Sequence, residues 1–91
     1  MNILDEIKRL LAPLNASVIE LQDESHRHRG HAGAQHGGHY RLTVVSEAFV
    51  GHNRLSRQRM INHALKNLFH THIHALSICA QTPAENSVTP S

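Results

Sequence analysis

The spacing of apolar residues predicts an amphipathic helix at the start of the chain. Five apolar residues recur at helical intervals and form one side of residues 3–14: Ile3, Ile7, Leu10, Leu11 and Leu14. Asn2 is a suitable N-cap, and Asp5 and Glu6 place negative charge in the first turn, where the helix dipole favours it. Pro13 is expected to end the regular part of this helix.

Two strands are predicted next. Residues 17–24 alternate, with Ile19 and Leu21 on one face, and residues 39–46 alternate in the same way. Both patterns are typical of strands with one face toward a core. Together they predict an antiparallel hairpin whose connection, residues 25–38, is unusually long.

A second amphipathic helix is predicted over residues 57–69, with Ser56 as its N-cap. Its apolar stripe comprises Met60, Ile61, Ala64, Leu65, Leu68 and Phe69. A third strand, residues 73–80, is almost continuously apolar, which predicts burial on both faces. A thiol buried at Cys79 in that strand would be inert. Since no pair of a nucleophile and a base stands out, the chain is predicted not to be an enzyme.

This order of elements, α-β-β-α-β with a helical turn opening at Thr82-Pro83, predicts an α+β fold. Three strands would form one sheet, two of them parallel, with the helices on one face. Residues 1–83 are assigned to a single domain and residues 84–91 to a flexible C-terminal tail. The same order occurs in KH domains of type II, but the GxxG loop that clamps nucleic acid there is absent.

The composition is that of a small globular domain: 91 residues, 40% hydrophobic, 18% charged, with a formal charge of +2. The single cysteine excludes an internal disulfide and a CxxC motif. Without an apolar run long enough to span a bilayer, a cytoplasmic location and no membrane partner are expected.

Ten histidines are the unusual feature of the composition. The long connection holds His26, His28, His31 and His36, and His39 follows it. This connection is either a solvated loop with weak metal affinity or a source of one specific ligand. His74, near the start of the third strand, is either a structural residue or a ligand.

The second helix has a basic face. Its members are Arg54, Arg57, Arg59, His63 and Lys66. Such a face is either a solvated surface or a docking surface for an acidic protein or for phosphates.

Four segments, in this order, resemble the BolA family. They are DESHRH at residues 23–28, GGHYRLTVVSEAFVG at 37–51, RLSRQRMINHAL at 54–65 and HIHAL at 72–76. The resemblance covers roughly residues 3–83 and implies the KH-like fold without GxxG. The chain departs from the family pattern at Gln58, where a histidine is usual, and at Asn86, where a tryptophan is usual.

The resemblance also implies a function. Similar family members pair with monothiol glutaredoxins and share a [2Fe-2S] cluster with the partner and glutathione, so no cofactor is expected in the isolated protein. His74 matches the family's ligand at the third strand. The second ligand matches His28, with His39 as the alternative. Arg57 and Arg59 would meet the partner or the glutathione carboxylates.

The family is also described as transcriptional regulators, so DNA binding through the basic helix, residues 54–66, is the alternative function. The isolated chain is expected to be a monomer or a weak homodimer.

Overall fold

The computed structural model describes residues 2–24 and 38–87. In chain order, the regular elements are α1 (Ile3–Leu10), β1 (Val18–Asp23), β2 (Gly38–Val45), α2 (Arg54–Ala64), β3 (Ile73–Gln81) and α3 (Pro83–Ser87). The predicted order α-β-β-α-β with a final helical turn is therefore confirmed.

Helix α1 begins as the sequence predicts. The side-chain oxygen of Asn2 accepts hydrogen bonds from the backbone N–H groups of Leu4, at 2.9 Å, and Asp5, at 3.4 Å. The helix ends at Leu10, and Pro13 lies in the short 3-10 turn Ala12–Leu14 that follows.

The three strands form one sheet in the order β1-β2-β3, with β2 in the middle. β1 pairs with β2 antiparallel, and β2 pairs with β3 parallel, as expected. Leu42 of β2 lies between Leu21 of β1 and Ile78 of β3 in the register. Because β2 and β3 are paired, His39 near the start of β2 and His74 near the start of β3 lie on neighbouring strands.

Both long helices cover the same face of the sheet. Ile7 of α1, Leu42 of β2 and Ile61 and Leu65 of α2 are each 0% exposed and belong to one apolar cluster. Apolar burial of this kind is the main stabilising contribution to a small domain. The opposite face of the sheet carries the exposed side chains of the alternating strands and has no layer of described residues over it.

Helix α2 begins three residues before the predicted start. Asn53, not Ser56, is the N-cap: its backbone is extended, and its side-chain oxygen accepts the N–H of Ser56 at 2.8 Å. The prediction of Ser56 as cap was wrong because Asn53 is an equally good cap residue. The first turn also adds no buried residue to the apolar stripe, since its apolar residue, Leu55, is 54% exposed. The helix ends at Ala64, and a 3-10 segment, Lys66–His70, continues the apolar stripe.

The prediction that β3 is buried on both faces was also wrong. β3 is an edge strand, and Ala75, Ser77 and Cys79 are exposed on the open face of the sheet. Leu76 and Ile78 pack against the core only in part. Because no helix lies on the open face, apolar composition did not bring burial there.

The fold continues past residue 83, where the sequence placed the start of a flexible tail. Residues 83–87 form α3, so that boundary divides a helix. Residues 88–91 of the predicted tail lie outside the described residues. Across the described part of the chain, no helix has the length and apolar character needed to cross a membrane.

Candidate functional site

Two of the candidate ligands lie side by side. His39 is near the start of β2 and His74 near the start of β3, and their ring centroids are 5.1 Å apart with the rings tilted by 50°. His74 is exposed and His39 is half-buried. The structure thus presents a pair of imidazoles at one end of the sheet, open to solvent on the His74 side.

The position of His74 is determined by an irregularity in the pairing of β2 with β3. Gly38 is opposite Ile73, whereas His39 is opposite Ala75, so the register leaves His74 as an extra residue in β3. A bulge of this kind reorients a side chain without ending the sheet, and bulges are common beside functional sites. The backbone N–H of Gly38 donates to the carbonyl of His72 at 3.1 Å and holds the two strands together at this point.

Gly38 permits close packing beside the histidine pair. A Cβ on this residue would lie 2.4 Å from Cε2 of Tyr40, too close for any side chain unless the Tyr40 ring moved. Burial, and secondarily the charge of Asp23, raises the pKa of Tyr40, so its hydroxyl stays protonated at neutral pH. Because the Tyr40 ring lies directly against Gly38, it covers the backbone immediately before His39.

The end of β1 also braces the pair. The backbone N–H of Glu24 donates to the carbonyl of His39 at 2.7 Å, and the Glu24 carboxylate lies 3.8 Å from the guanidinium of Arg41. His39 is thus fixed by β1 on one side and β3 on the other. His28, the other candidate ligand, lies outside the described residues.

The histidine pair offers two donor nitrogens to a metal. Neutral imidazole is a good ligand for iron, zinc and copper. Within residues 2–24 and 38–87, no group of three or more histidine, cysteine or acidic side chains is arranged to hold a metal ion.

The five basic residues named on the face of α2 differ in their exposure to solvent. Arg54, Arg59, His63 and Lys66 are exposed, as the sequence predicts. The Arg57 side chain is only 13% exposed. The five residues named from the sequence therefore separate into four on the surface and one that is largely enclosed.

Arg57 is held by α3 and β3. Its guanidinium donates to both carboxylate oxygens of Glu85, at 2.7 and 3.1 Å, and to the carbonyl of Ala80 at 3.1 Å. The hydrogen bond from Arg57, together with one from the backbone of Thr82, lowers the pKa of Glu85 to about 2. Glu85 in turn raises the pKa of Arg57.

Glu85 is a residue that the sequence analysis did not single out. Its carboxylate accepts the backbone N–H of Thr82 at 2.8 Å, and its own N–H donates to the Thr82 hydroxyl at 3.2 Å. This reciprocal arrangement is a capping box, and its pattern of threonine followed three residues later by glutamate is present in the sequence.

The environment of Cys79 differs from the sequence prediction, and a contact of His52 was not predicted. Cys79 is exposed, so the expectation of a buried, inert thiol was wrong. Nδ1 of His52 lies 2.8 Å from the hydroxyl of Ser56 across the first turn of α2. This contact joins the turn before α2 to the helix.

Comparison with known proteins identifies relatives of the whole domain. A family described as BolA-like protein matches residues 10–85. SufE-like protein 1 of Arabidopsis thaliana is 35% identical, in an alignment that covers 93% of this chain and 24% of that protein. BolA-like protein 1 of Mus musculus is 39% identical over 77 residues, which cover 85% of this chain and 55% of that protein. The chain therefore spans about a quarter to a half of these relatives.

Solved structures share the fold over nearly the full chain. The BolA domain of SufE1 from Arabidopsis thaliana has a TM-score of 0.78 at 36% identity, covering 93% of this chain and 96% of that one. BolA1 from Mus musculus has a TM-score of 0.79 at 35% identity, covering 100% of this chain and 73% of that one. The family match, the identities and the shared fold agree: this chain belongs to the BolA-like family.

Proposed function

We propose that this protein is a non-enzymatic adaptor that binds a monothiol glutaredoxin and supplies histidine ligands to a shared [2Fe-2S] cluster. Its process would be iron–sulfur trafficking or iron, redox and stress regulation. The observation that carries the proposal is the pair formed by His39 and His74, whose ring centroids are 5.1 Å apart at the open end of the sheet.

The donor set fits such a cluster. A [2Fe-2S] cluster takes four ligands, and two histidines replace two cysteines on one iron in Rieske centres, which raises the reduction potential. Two imidazoles from this chain would supply half of the ligands. The glutaredoxin cysteine and a glutathione thiol would hold the other iron, so the complete set requires both proteins.

The second ligand is either His39 or His28. The proximity of His39 to His74 favours His39, because the two rings already lie together on paired strands. His28, the residue that the family resemblance favours, belongs to the histidine-rich connection between β1 and β2 and becomes the alternative. Substituting each of the two histidines in turn separates the alternatives.

The basic face of α2 supports docking of an acidic partner. Arg54, Arg59 and Lys66 are exposed on one helix and its 3-10 continuation. Guanidinium groups bind carboxylates through paired hydrogen bonds, which suits the two carboxylates of glutathione. Arg57 is already bonded to Glu85, so we assign the docking role mainly to Arg54 and Arg59.

The test mixes this 91-residue chain with a monothiol glutaredoxin, iron, sulfide and glutathione under anaerobic conditions, and records visible circular dichroism and mass. A 1:1 complex with a spectrum different from that of the glutaredoxin homodimer is expected. His74→Ala should abolish that spectrum. Of His39→Ala and His28→Ala, the one that removes the second ligand should do the same.

His72→Ala is the matched control, because His72 is exposed and lies two residues before His74. It should leave the spectrum unchanged. An unaltered histidine-ligated complex in His74→Ala would contradict the proposal, as would a complex of the two proteins whose cluster spectrum is that of glutaredoxin alone.

A second candidate function is DNA binding by the exposed cations of α2. The observation that favours it is the absence of any aspartate or glutamate between residues 48 and 84, the stretch that contains α2. A basic helix that carries no acidic residue of its own attracts phosphates. This function predicts a steep dependence of affinity on salt concentration.

A further inference from the structure

β3 has a free hydrogen-bonding edge. The carbonyl of Gln81 accepts the N–H of Ser46 at 2.9 Å, so the backbone groups of Gln81, and of the residues at two-residue intervals before it, face β2. Those of Leu76, Ile78 and Ala80 therefore face away from the sheet. The carbonyl of Ala80 follows this pattern, since it accepts from Arg57. Among the described residues, no group pairs with the outward backbone of Leu76 or Ile78.

This edge lacks the usual protection against pairing. Natural proteins place charged residues or proline on exposed edge strands to prevent association. β1, the other edge, carries exposed Glu20 and Asp23. β3 carries no charged residue and no proline, and no aspartate, glutamate, lysine or arginine occurs between residues 67 and 84.

The side chains along β3 also suit an added strand. Ala75, Ser77 and Cys79 are small and exposed on the open face. On the other face, Leu76 and Ile78 are only partly buried, whereas Leu42, their neighbour in the central strand, is 0% exposed. One more strand beside β3 would complete the burial of these two side chains.

We infer that β3 pairs antiparallel with β3 of a second copy of this chain, centred on Ser77. In this register Leu76 of one copy is opposite Ile78 of the other, and the two residues exchange backbone hydrogen bonds. A register centred on Ile78 would need the Ala80 carbonyl, which Arg57 already occupies. One centred on Leu76 would need the irregular backbone of His74.

A second copy is favoured because the edge is self-complementary. Two uncharged strands meet with no like charges opposite each other, whereas pairing of β1 with itself would bring Glu20 and Asp23 of both copies to one seam. The pairing is isologous and uses each β3 edge once. The product is a closed dimer with a six-stranded sheet, not a growing fibre.

The dimer is weak. Pairing a few residues of one edge buries far less than the roughly 1,200–2,000 Å² of a stable interface. The population of dimer should therefore rise with protein concentration. This inference is independent of cluster binding, because it involves neither a metal nor a glutaredoxin.

Disulfide trapping tests the register. Residues 75 and 79 of opposite copies face each other at a non-hydrogen-bonded position, where Cα atoms are about 4.5 Å apart, a distance that a disulfide spans. Ala75→Cys should therefore form a covalent dimer with Cys79 of the second copy. Diamide accepts the two electrons and two protons released for each disulfide.

Two other cysteine pairings are too far apart to cross-link and serve as controls. Within one copy, residues 75 and 79 are about 13 Å apart along the strand and cannot cross-link. In the dimer, residue 79 is equally far from residue 79 of the second copy, so wild type should not be trapped. Ala75→Cys should give several-fold more dimer than Ala75→Cys/Cys79→Ser, with peptide mapping showing the mixed linkage. Equal yields, or no covalent dimer, would overturn the inference.

Sedimentation velocity over a range of concentrations gives a test without cross-linking. Ser77→Glu and Gln22→Glu each place a carboxylate opposite Arg41, one from β3 and the other from β1. Ser77→Glu should abolish the dimer through repulsion across the two-fold axis, while Gln22→Glu should retain it. If both variants and wild type sediment as monomers at every concentration, the β3 edge does not self-associate.

Discussion

Arg57 is the residue whose role changes most once its contacts are known. From the sequence it is one of several cations on a helix face. In the structure its guanidinium joins α2 to Glu85 of α3 and to the Ala80 carbonyl of β3, and it lies 6.0 Å from the ring centroid of Phe49. A paired, largely enclosed arginine contributes to the attachment of α3 and is less available to a partner.

This ion pair predicts a pH dependence of stability. The pKa of Glu85 is about 2 in the folded protein, against a reference value of 4.5. Since the folded-state pKa is the lower one, the stabilisation is fully present above pH 4.5 and is lost as the pH falls toward 2. Glu85→Gln should therefore lower the urea midpoint at pH 7, and the difference from wild type should shrink between pH 4.5 and 2.

Glu20→Gln is the control for this prediction, because Glu20 is an exposed glutamate on β1. The change in the urea midpoint of Glu20→Gln between pH 7 and pH 3 should be close to that of wild type. A Glu85→Gln variant whose midpoint tracks wild type at every pH would show that the ion pair does not stabilise the fold.

At the scale of elements, the start of α2 gives a direct comparison of two capping residues. Asn53→Ala should reduce the free energy of unfolding by about 1 kcal/mol, because the N–H of Ser56 then loses its side-chain acceptor. Ser56→Ala removes only an exposed contact with His52 and should change stability by less than about 0.5 kcal/mol. Urea denaturation followed by circular dichroism measures both. The reverse order of effects would mean that the helix begins at Ser56.

Periodicity in the sequence was sufficient to predict most elements. α1, β1 and β2 each have a buried side and an exposed side, and the apolar residues in their sequences recur at the spacing of the buried side. It was insufficient for β3, because burial of a strand depends on what lies over each face. Ala75 and Cys79 are apolar in sequence, yet they are exposed on an uncovered face at the edge of the sheet.

The candidate site shows the same division between local and non-local information. Motif resemblance singled out His74 and His28 as possible ligands, with His39 as the alternative to His28. Their proximity depends on the parallel pairing of β2 with β3 and on the bulge at His74, and neither is encoded in a local pattern. Likewise the enclosure of Arg57 depends on Glu85, 28 positions later in the chain.

At the scale of the whole molecule, charge is divided along the chain. Six of the seven acidic residues precede residue 48, and the seventh, Glu85, is paired with Arg57. The region between them, which contains α2 and β3, is cationic or uncharged. Such an asymmetric distribution steers an anionic partner toward the helix before any specific contact forms.

If the exposed cations bind DNA, affinity should fall linearly on a log–log plot against salt, with a slope of about −0.9 for each phosphate contact. The triple variant Arg54→Gln/Arg59→Gln/Lys66→Gln should then reduce the magnitude of that slope by up to about 3. Arg57 is left intact, because its substitution would disturb α3. Fluorescence anisotropy with a labelled duplex between low and moderate salt measures the slopes.

The matched control is Lys8→Gln/Arg9→Gln, which removes two exposed cations from α1. It should leave the slope within about one unit of wild type, because these residues lie outside the acid-free region. If the α1 control and the α2 triple variant reduce the slope equally, the attraction reflects net charge and not a site on α2. If wild type shows no binding at low salt, the proposal of DNA binding by the cationic face of α2 is wrong, and the adaptor function remains as the proposal.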